Sequence, residues 1–156
     1  MELHSDLIPL QFLIGIWRGS GRGEYPTIEP FTYTEEVSFQ AGPGKPFLLY
    51  VQRTRGADGL PLHSESGFVR ATAEGPELVV AQPTGLTEVH SGTLNGTGLQ
   101  FESVAMGATA TAKAVAEVSR HLAVDGDVLS YTLDMAYADV PLSLHLEAKL
   151  ERVVED

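Results

Sequence analysis

Five histidines, His4, His63, His90, His121 and His145, are the side chains best suited to chemistry near neutral pH. None belongs to an HExxH motif, and no pair sits at zinc-ligand spacing with a carboxylate nearby, so a zinc hydrolase is not indicated. The serines lack a Gly-x-Ser-x-Gly elbow, which leaves nucleophilic acyl transfer without support. Adjacent Glu35 and Glu36 would point to opposite faces of a strand, a poor geometry for an acid/base pair and a good one for an acidic surface. The chain has no cysteine, which removes disulfides, thiolate metal sites, iron–sulfur clusters and thiol nucleophiles together. What survives is an isolated imidazole in apolar surroundings, a group that can serve as the axial ligand of haem.

His145 is the foremost of these. It lies in PLSLHLEAKLER (141–152), which alternates strictly: Leu142, Leu144, Leu146, Ala148 and Leu150 share one strand face, and Ser143, His145, Glu147, Lys149 and Glu151 the other. Alternation alone turns His145 to solvent, and His4 is expected in a loose terminus. For His145 to face a cavity, either the leucines must face outward and find cover, or the strand must carry a bulge; Pro141 is placed to shift the parity.

The elements that would position these residues are strands. Only the start reads as helix, capped by Ser5 or Asp6, running through Leu7, Leu10, Leu13 and Ile14 and stopped by Gly15, with Pro9 tolerated in its first turn. In GIWRGSGRGEYPTIEPF (15–31), Gly15, Trp17, Gly19, Gly21 and Gly23 share one face. That is the mark of sharp bending or close backbone approach, with the Trp closing the end of a small barrel. The run has no Lys-Ser/Thr ending of a phosphate loop. Strands are then expected at 31–40, 45–55, 63–72, 76–83, 85–94, 98–105, 112–124, 128–138 and the His145 segment, joined by turns such as Asp58-Gly59, Asn95-Gly96 and Asp125-Gly126. The alanine-rich stretch 107–119 is the one place where helix competes. The class is all-β, a ten-stranded antiparallel up-and-down β-barrel with a short N-terminal helix, spanning residues 1–156 as a single domain. A barrel of this size encloses a cavity. Gln82 shares a face with Leu78 and Val80, and Met135 one with Leu129, Tyr131, Leu133 and Tyr137, so both are expected on its inner wall.

Composition limits the partners. The 156 residues carry 10 basic and 21 acidic side chains, a net charge of −11, which repels nucleic acid and anionic membranes. With 43% hydrophobic residues the chain can build a core, and no apolar run approaches the ~18 residues of a membrane span. No signal peptide is visible, and the absence of cysteine fits a cytoplasmic protein.

GIWRGSG (15–21) fits the GxWxGxG signature, and the chain resembles the nitrobindin family of haem-binding β-barrels. Further blocks of resemblance are YPTIEPFTYTEE (25–36), KPFLLYVQRT (45–54), PLHSESGFVR (61–70), VVAQPTGLTEV (79–89), DGDVLSY (125–131) and PLSLHLEAKL (141–150). The resemblance implies a ten-stranded barrel holding haem b near its open end, with iron on one histidine of the last strand, the position of His145. It maps pocket positions onto Leu62, His63, Gln82 and Met135, with Leu62 standing where relatives often have Met. It assigns Lys113 to a haem propionate, and Thr34 to the cofactor site. It implies nitric oxide binding and the isomerisation of peroxynitrite to nitrate at ferric haem, with His90 and His121 at the surface or rim. An alternative from the same shape is a lipocalin-like or fatty-acid-binding carrier of an apolar small molecule, for which Arg53 and Arg70 are the strand arginines available to hold a carboxylate. Outward leucines on the His145 strand would be covered by the N-terminal segment or by a second copy, giving a homodimer.

Overall fold

A computed structural model describes residues 2–155. The chain opens with a 3₁₀ helix, Ser5–Leu13, and continues as ten strands: β1 Gly15–Tyr25, β2 Ile28–Ala41, β3 Phe47–Gly56, β4 Pro61–Thr72, β5 Gly75–Ala81, β6 Leu86–Asn95, β7 Gly98–Ala108, β8 Val115–Asp125, β9 Val128–Tyr137 and β10 Val140–Arg152. Each strand pairs antiparallel with its sequence neighbours, and β10 returns to β1 to close the barrel. The alanine-rich stretch resolves into the end of β7, a loop and the start of β8, with no helix. The first helix is 3₁₀ rather than α. Leu7, Leu10 and Leu13, all buried, recur every three residues, the period of that helix, and Pro9 lies in its interior. His4, not Ser5 or Asp6, caps it, its Nδ1 accepting from the Asp6 N–H at 3.2 Å.

The helix closes one end of the barrel. Its three leucines pack with Trp17, Phe39, Leu48, Val69, Leu78, Phe101, Leu129 and Leu150 into one apolar floor. Trp17 is wholly buried there and donates from Nε1 to the Leu13 carbonyl at 2.9 Å. The Arg152 guanidinium lies over the same indole at 4.1 Å, tying the last strand to the first. The glycines of β1 serve close approach: a Cβ at Gly19 would collide with the Lys149 carbonyl on β10, and one at Gly21 with the Tyr33 ring.

The register of β10 decides where His145 points. Against β9 it runs Leu150↔Leu129, Ala148↔Tyr131, Leu146↔Leu133, then Leu144↔Asp134 and Ser143↔Met135, so His145 is an extra residue with no partner of its own. A second irregularity separates Ser143 from Val140. Leu146, Ala148 and Leu150 keep the inward parity of the alternation, and the bulge then brings His145 to the same side. The outward leucine stripe therefore shrinks to Leu142 and Leu144.

Candidate functional site

The barrel encloses a cavity of about 640 Å³, open at the end opposite the floor. That volume lies in the usual range for a bound cofactor or drug-sized ligand, ~300–1,000 Å³. Its walls are the inward residues of nearly every strand, so strand parity decides membership.

At the open end His145 and Leu146 enter from β10, Tyr25 from β1, Met135 and Tyr137 from β9, and Leu62 and His63 from β4. His145 is half-buried. Its Nδ1 lies 3.0 Å from the Glu24 carbonyl, which can only accept, so Nδ1 carries the proton and Nε2 keeps its lone pair. Burial lowers its pKa from the ordinary value, the Glu24 hydrogen bond works the other way, and the neighbouring His63 lowers it further. Below the ring stands Tyr25, edge-on at 5.5 Å between centroids. A neutral imidazole, oriented by a backbone carbonyl through one nitrogen and bare at the other, is the donor arrangement of an axial haem ligand. The residues present therefore fit the group.

Most of the other expected pocket residues surround the same space. Leu62, half exposed, and His63 line the rim, Gln82 and Met135 the wall, and Lys113 the mouth. Lys113 lies 5.9 Å over the Tyr137 ring and forms no salt bridge among the described residues, which leaves its ammonium for an anionic group. Thr34 is not brought together with them. It has the parity opposite to Tyr33 and Glu35 and lies on the outer surface of β2, opposite Ser20 and Arg55. Thr27, in the β1–β2 turn, lines the mouth instead.

Sequence reasoning missed a belt of buried polar groups across the middle of the barrel. Arg120, wholly inside, pairs with Glu65 and, at 2.8 Å, with Glu88. Tyr50 donates to Glu65 at 2.7 Å, His63 approaches the same carboxylate at 3.3 Å, and Gln82 donates to Glu88. His90, expected at the surface or rim, is fully buried, its Nε2 2.8 Å from Glu88; His121 is exposed as expected. Burial works against ionisation of Glu65 and Glu88, but the Arg120 charge outweighs it and holds both pKa values below the ordinary carboxylate range. Glu35 has no such partner. It accepts from Tyr131 at 2.8 Å and from Gln52, and burial pushes its pKa up to about 7. One signal was available in the sequence: Glu65 shares parity with His63, as Tyr25 does with Trp17, so both face inward once their strands are set.

The family profile described as "THAP4-like, heme-binding beta-barrel domain" matches residues 6–152. The chain is 49% identical over 157 residues to "Peroxynitrite isomerase 2" of Mycobacterium marinum, covering 97% of each chain. It is 46% identical over 158 residues to "Peroxynitrite isomerase" of Nocardia farcinica, covering 97% of this chain and 94% of that one. In three dimensions it is similar to the crystal structure of Rv2717c from M. tuberculosis, with a TM-score of 0.91 and 46% identity, over 98% of this chain and all of the other.

Proposed function

The chain belongs to the THAP4-like, haem-binding β-barrel family, and from that membership we propose that it is a haem-dependent peroxynitrite isomerase with His145 as its axial ligand. The observation that carries the reading is the His145 ring, fixed by Glu24 and presenting a bare Nε2 in an apolar cavity. When bound, the haem would supply a ferric centre for nitric oxide binding and for the isomerisation of peroxynitrite to nitrate.

The chain supplies the surroundings. His145, kept neutral by burial, donates its Nε2 lone pair without first losing a proton. Met135, Leu146 and Leu62 exclude water from the inner part of the cavity. Lys113 is assigned to a propionate at the mouth. His63 donates from Nε2 to the ionised Glu65, so that N–H braces the pocket rather than reaching a ligand. Gln82 is tied down by Glu88 and shapes the wall. The haem is assigned to the b type, since a chain without cysteine has no thiol for covalent thioether attachment.

The carrier reading loses its anchor. Arg53 and Arg70 lie on the outer surface, Arg70 paired with Glu77, and the one arginine lining the cavity, Arg120, is already spent on two carboxylates. No helix among the described residues is long and apolar enough to cross a membrane, and the cysteine-free composition fits a reducing compartment such as the cytoplasm. The homodimer is assigned to the outer row Leu49, Phe68, Val79 and Val89 rather than to β10.

Hemin titration of wild type and His145→Ala tests the reading. The wild type is expected to show a Soret band characteristic of a histidine ligand, abolished or strongly shifted in the variant. An unchanged spectrum ends the ligand assignment. Nitrate yield during peroxynitrite decay separates catalysis from nitric oxide binding alone.

A further inference from the structure

By alternation His145 belongs outside, and something must hold it inside. The bulge that turns it inward is a local loss of ladder pairing, which a strand does not keep unless its surroundings impose it. The surroundings are asymmetric. On one side of β10 lies β1, regular up to Gly23, where its pairing with β2 also slips by one residue around Glu24. On the other lies β9, whose register against β10 breaks twice, at Val140/Ser143 and at Leu144/Leu146. The turn beyond holds Ala138 at φ 53°, a left-handed conformation unfavourable for a residue with a Cβ, which marks strain at the same place.

One side chain spans this region. Tyr25, the last residue of β1 and 6% exposed, crosses inside β10 to reach β9, two strands away. Its hydroxyl donates to the Met135 carbonyl at 2.9 Å and accepts from the Tyr137 N–H at 3.0 Å. Both groups lie on the stretch of β9 where the β9–β10 register is broken. Its ring meets His145 edge-on, and the carbonyl that takes the His145 proton belongs to the residue before it, Glu24. Anchoring Tyr25 therefore fixes three things together: the gap under β10, the face of the imidazole and the acceptor for Nδ1–H.

We propose that Tyr25 is the positioning residue for His145, its hydroxyl stapling β1 to β9 across β10 and so holding the bulge from which the imidazole reaches the cavity. The proposal rests on the reading of His145 as the haem ligand and adds what keeps that ligand in place. Tyr25 touches no reacting atom. Its role is to preorganise a ligand that an unconstrained strand would turn to solvent.

The test uses the apoprotein first, with histidine labelled in its ring nitrogens. Wild type is expected to show His145 with Nδ1 protonated and Nε2 bare. In Tyr25→Phe, which keeps the ring and removes both backbone bonds, the tautomer is expected to become mixed. Hemin affinity should fall tenfold or more, the usual scale for loss of a group that orients a ligand. Thr97→Val controls for stability alone: it removes the hydroxyl that donates to the Val124 carbonyl, in the β6–β7 turn on a different hairpin, and should leave the His145 tautomer and hemin affinity as in wild type. A Tyr25→Phe protein with wild-type tautomer and affinity overturns the proposal, as does a Thr97→Val protein that disturbs His145 equally. Failure of the parent reading is distinct: it shows as an unchanged Soret band in His145→Ala, whatever the tautomer of the apoprotein, and takes the positioning role with it.

Discussion

Two carboxylates in one buried belt behave in opposite ways to a third, and the reason is a single side chain. Glu65 and Glu88 flank Arg120, which repays their desolvation, whereas Glu35 is met only by the neutral Tyr131 and Gln52. The pH dependence of stability therefore takes opposite signs. The pKa values of Glu65 and Glu88 are depressed on folding, so their contribution is complete above the ordinary carboxylate pKa and is lost as pH falls through the folded values. Glu35 is raised from 4.5 to about 7, so the folded chain holds a proton that the unfolded chain has released, and stability falls as pH rises across that window. The wild type is expected to lose about 2–3 kcal/mol from this group between pH 5 and 8, a loss absent in Glu35→Gln, as read by urea unfolding at each pH. Equal slopes in the two proteins refute it. Arg120→Met leaves two carboxylates buried without a counter-charge and is expected to cost about 3–5 kcal/mol at pH 8. The cost should shrink towards pH 4, where both carboxyls take up protons; a variant as stable as wild type at pH 8 removes the argument.

At the scale of elements, local pattern carried far. The alternation of β9 put Leu129, Tyr131, Leu133, Met135 and Tyr137 on one wall, and all five line the cavity. The turns Asn95-Gly96 and Asp125-Gly126 were legible because their glycines need positive φ, 60° and 59° here. Legibility stopped wherever a residue's place depends on a neighbouring strand. Period-two reading has no term for a bulge, so the strand alone turned His145 outward, and only the resemblance turned it in. His90 read as a surface or rim group and Glu65, Glu88 and Arg120 drew no reading, because burial of a charge is set by partners that alternation does not show, 55 residues away for Arg120 and Glu65. Thr34 was drawn into the site by resemblance and is excluded by parity. The glycine face of β1 makes an element-scale prediction. Gly19 sits against backbone of β10 that cannot swing aside, while the Phe31 ring opposite Gly23 can move. Gly19→Ala is expected to destabilise by ~2–3 kcal/mol or more and Gly23→Ala by less, in thermal or urea unfolding. The reverse order means that β10 yields there and that the closing seam is softer than its register implies.

The whole molecule has two unlike ends and one unusual flank. The 3₁₀ helix seals the floor, the mouth stays open, and most of the wall carries the acidic surface that gives the chain its charge of −11. The flank is different. Leu49 on β3 lies opposite Phe68 on β4, Phe68 opposite Val79 on β5, and Val79 opposite Val89 on β6, so four apolar side chains form one unbroken row across the strands. Each is more than a third exposed, and Phe47 packs edge-on against Phe68 at 5.3 Å to widen the patch. Adjacent strands lie ~4.8 Å apart, which makes the row about 15 Å long. In the proposed homodimer a twofold axis would lay this apolar row on its own copy without bringing unlike surfaces together. The β10 leucines form no comparable row, since Leu146 and Leu150 point inward and only Leu142 and Leu144 are left outside. Phe68 would be the central anchor of that proposed interface. Phe68→Glu is expected to weaken self-association by at least ~2 kcal/mol, roughly thirtyfold in dissociation constant, giving a monomer by sedimentation velocity at micromolar concentration. Its hemin Soret band should be unchanged, because the row faces away from the cavity. Leu142→Glu, on β10, should leave the association state as it is. If Leu142→Glu dissociates the protein and Phe68→Glu does not, the interface returns to the last strand and the row across β3 to β6 is ordinary exposed surface.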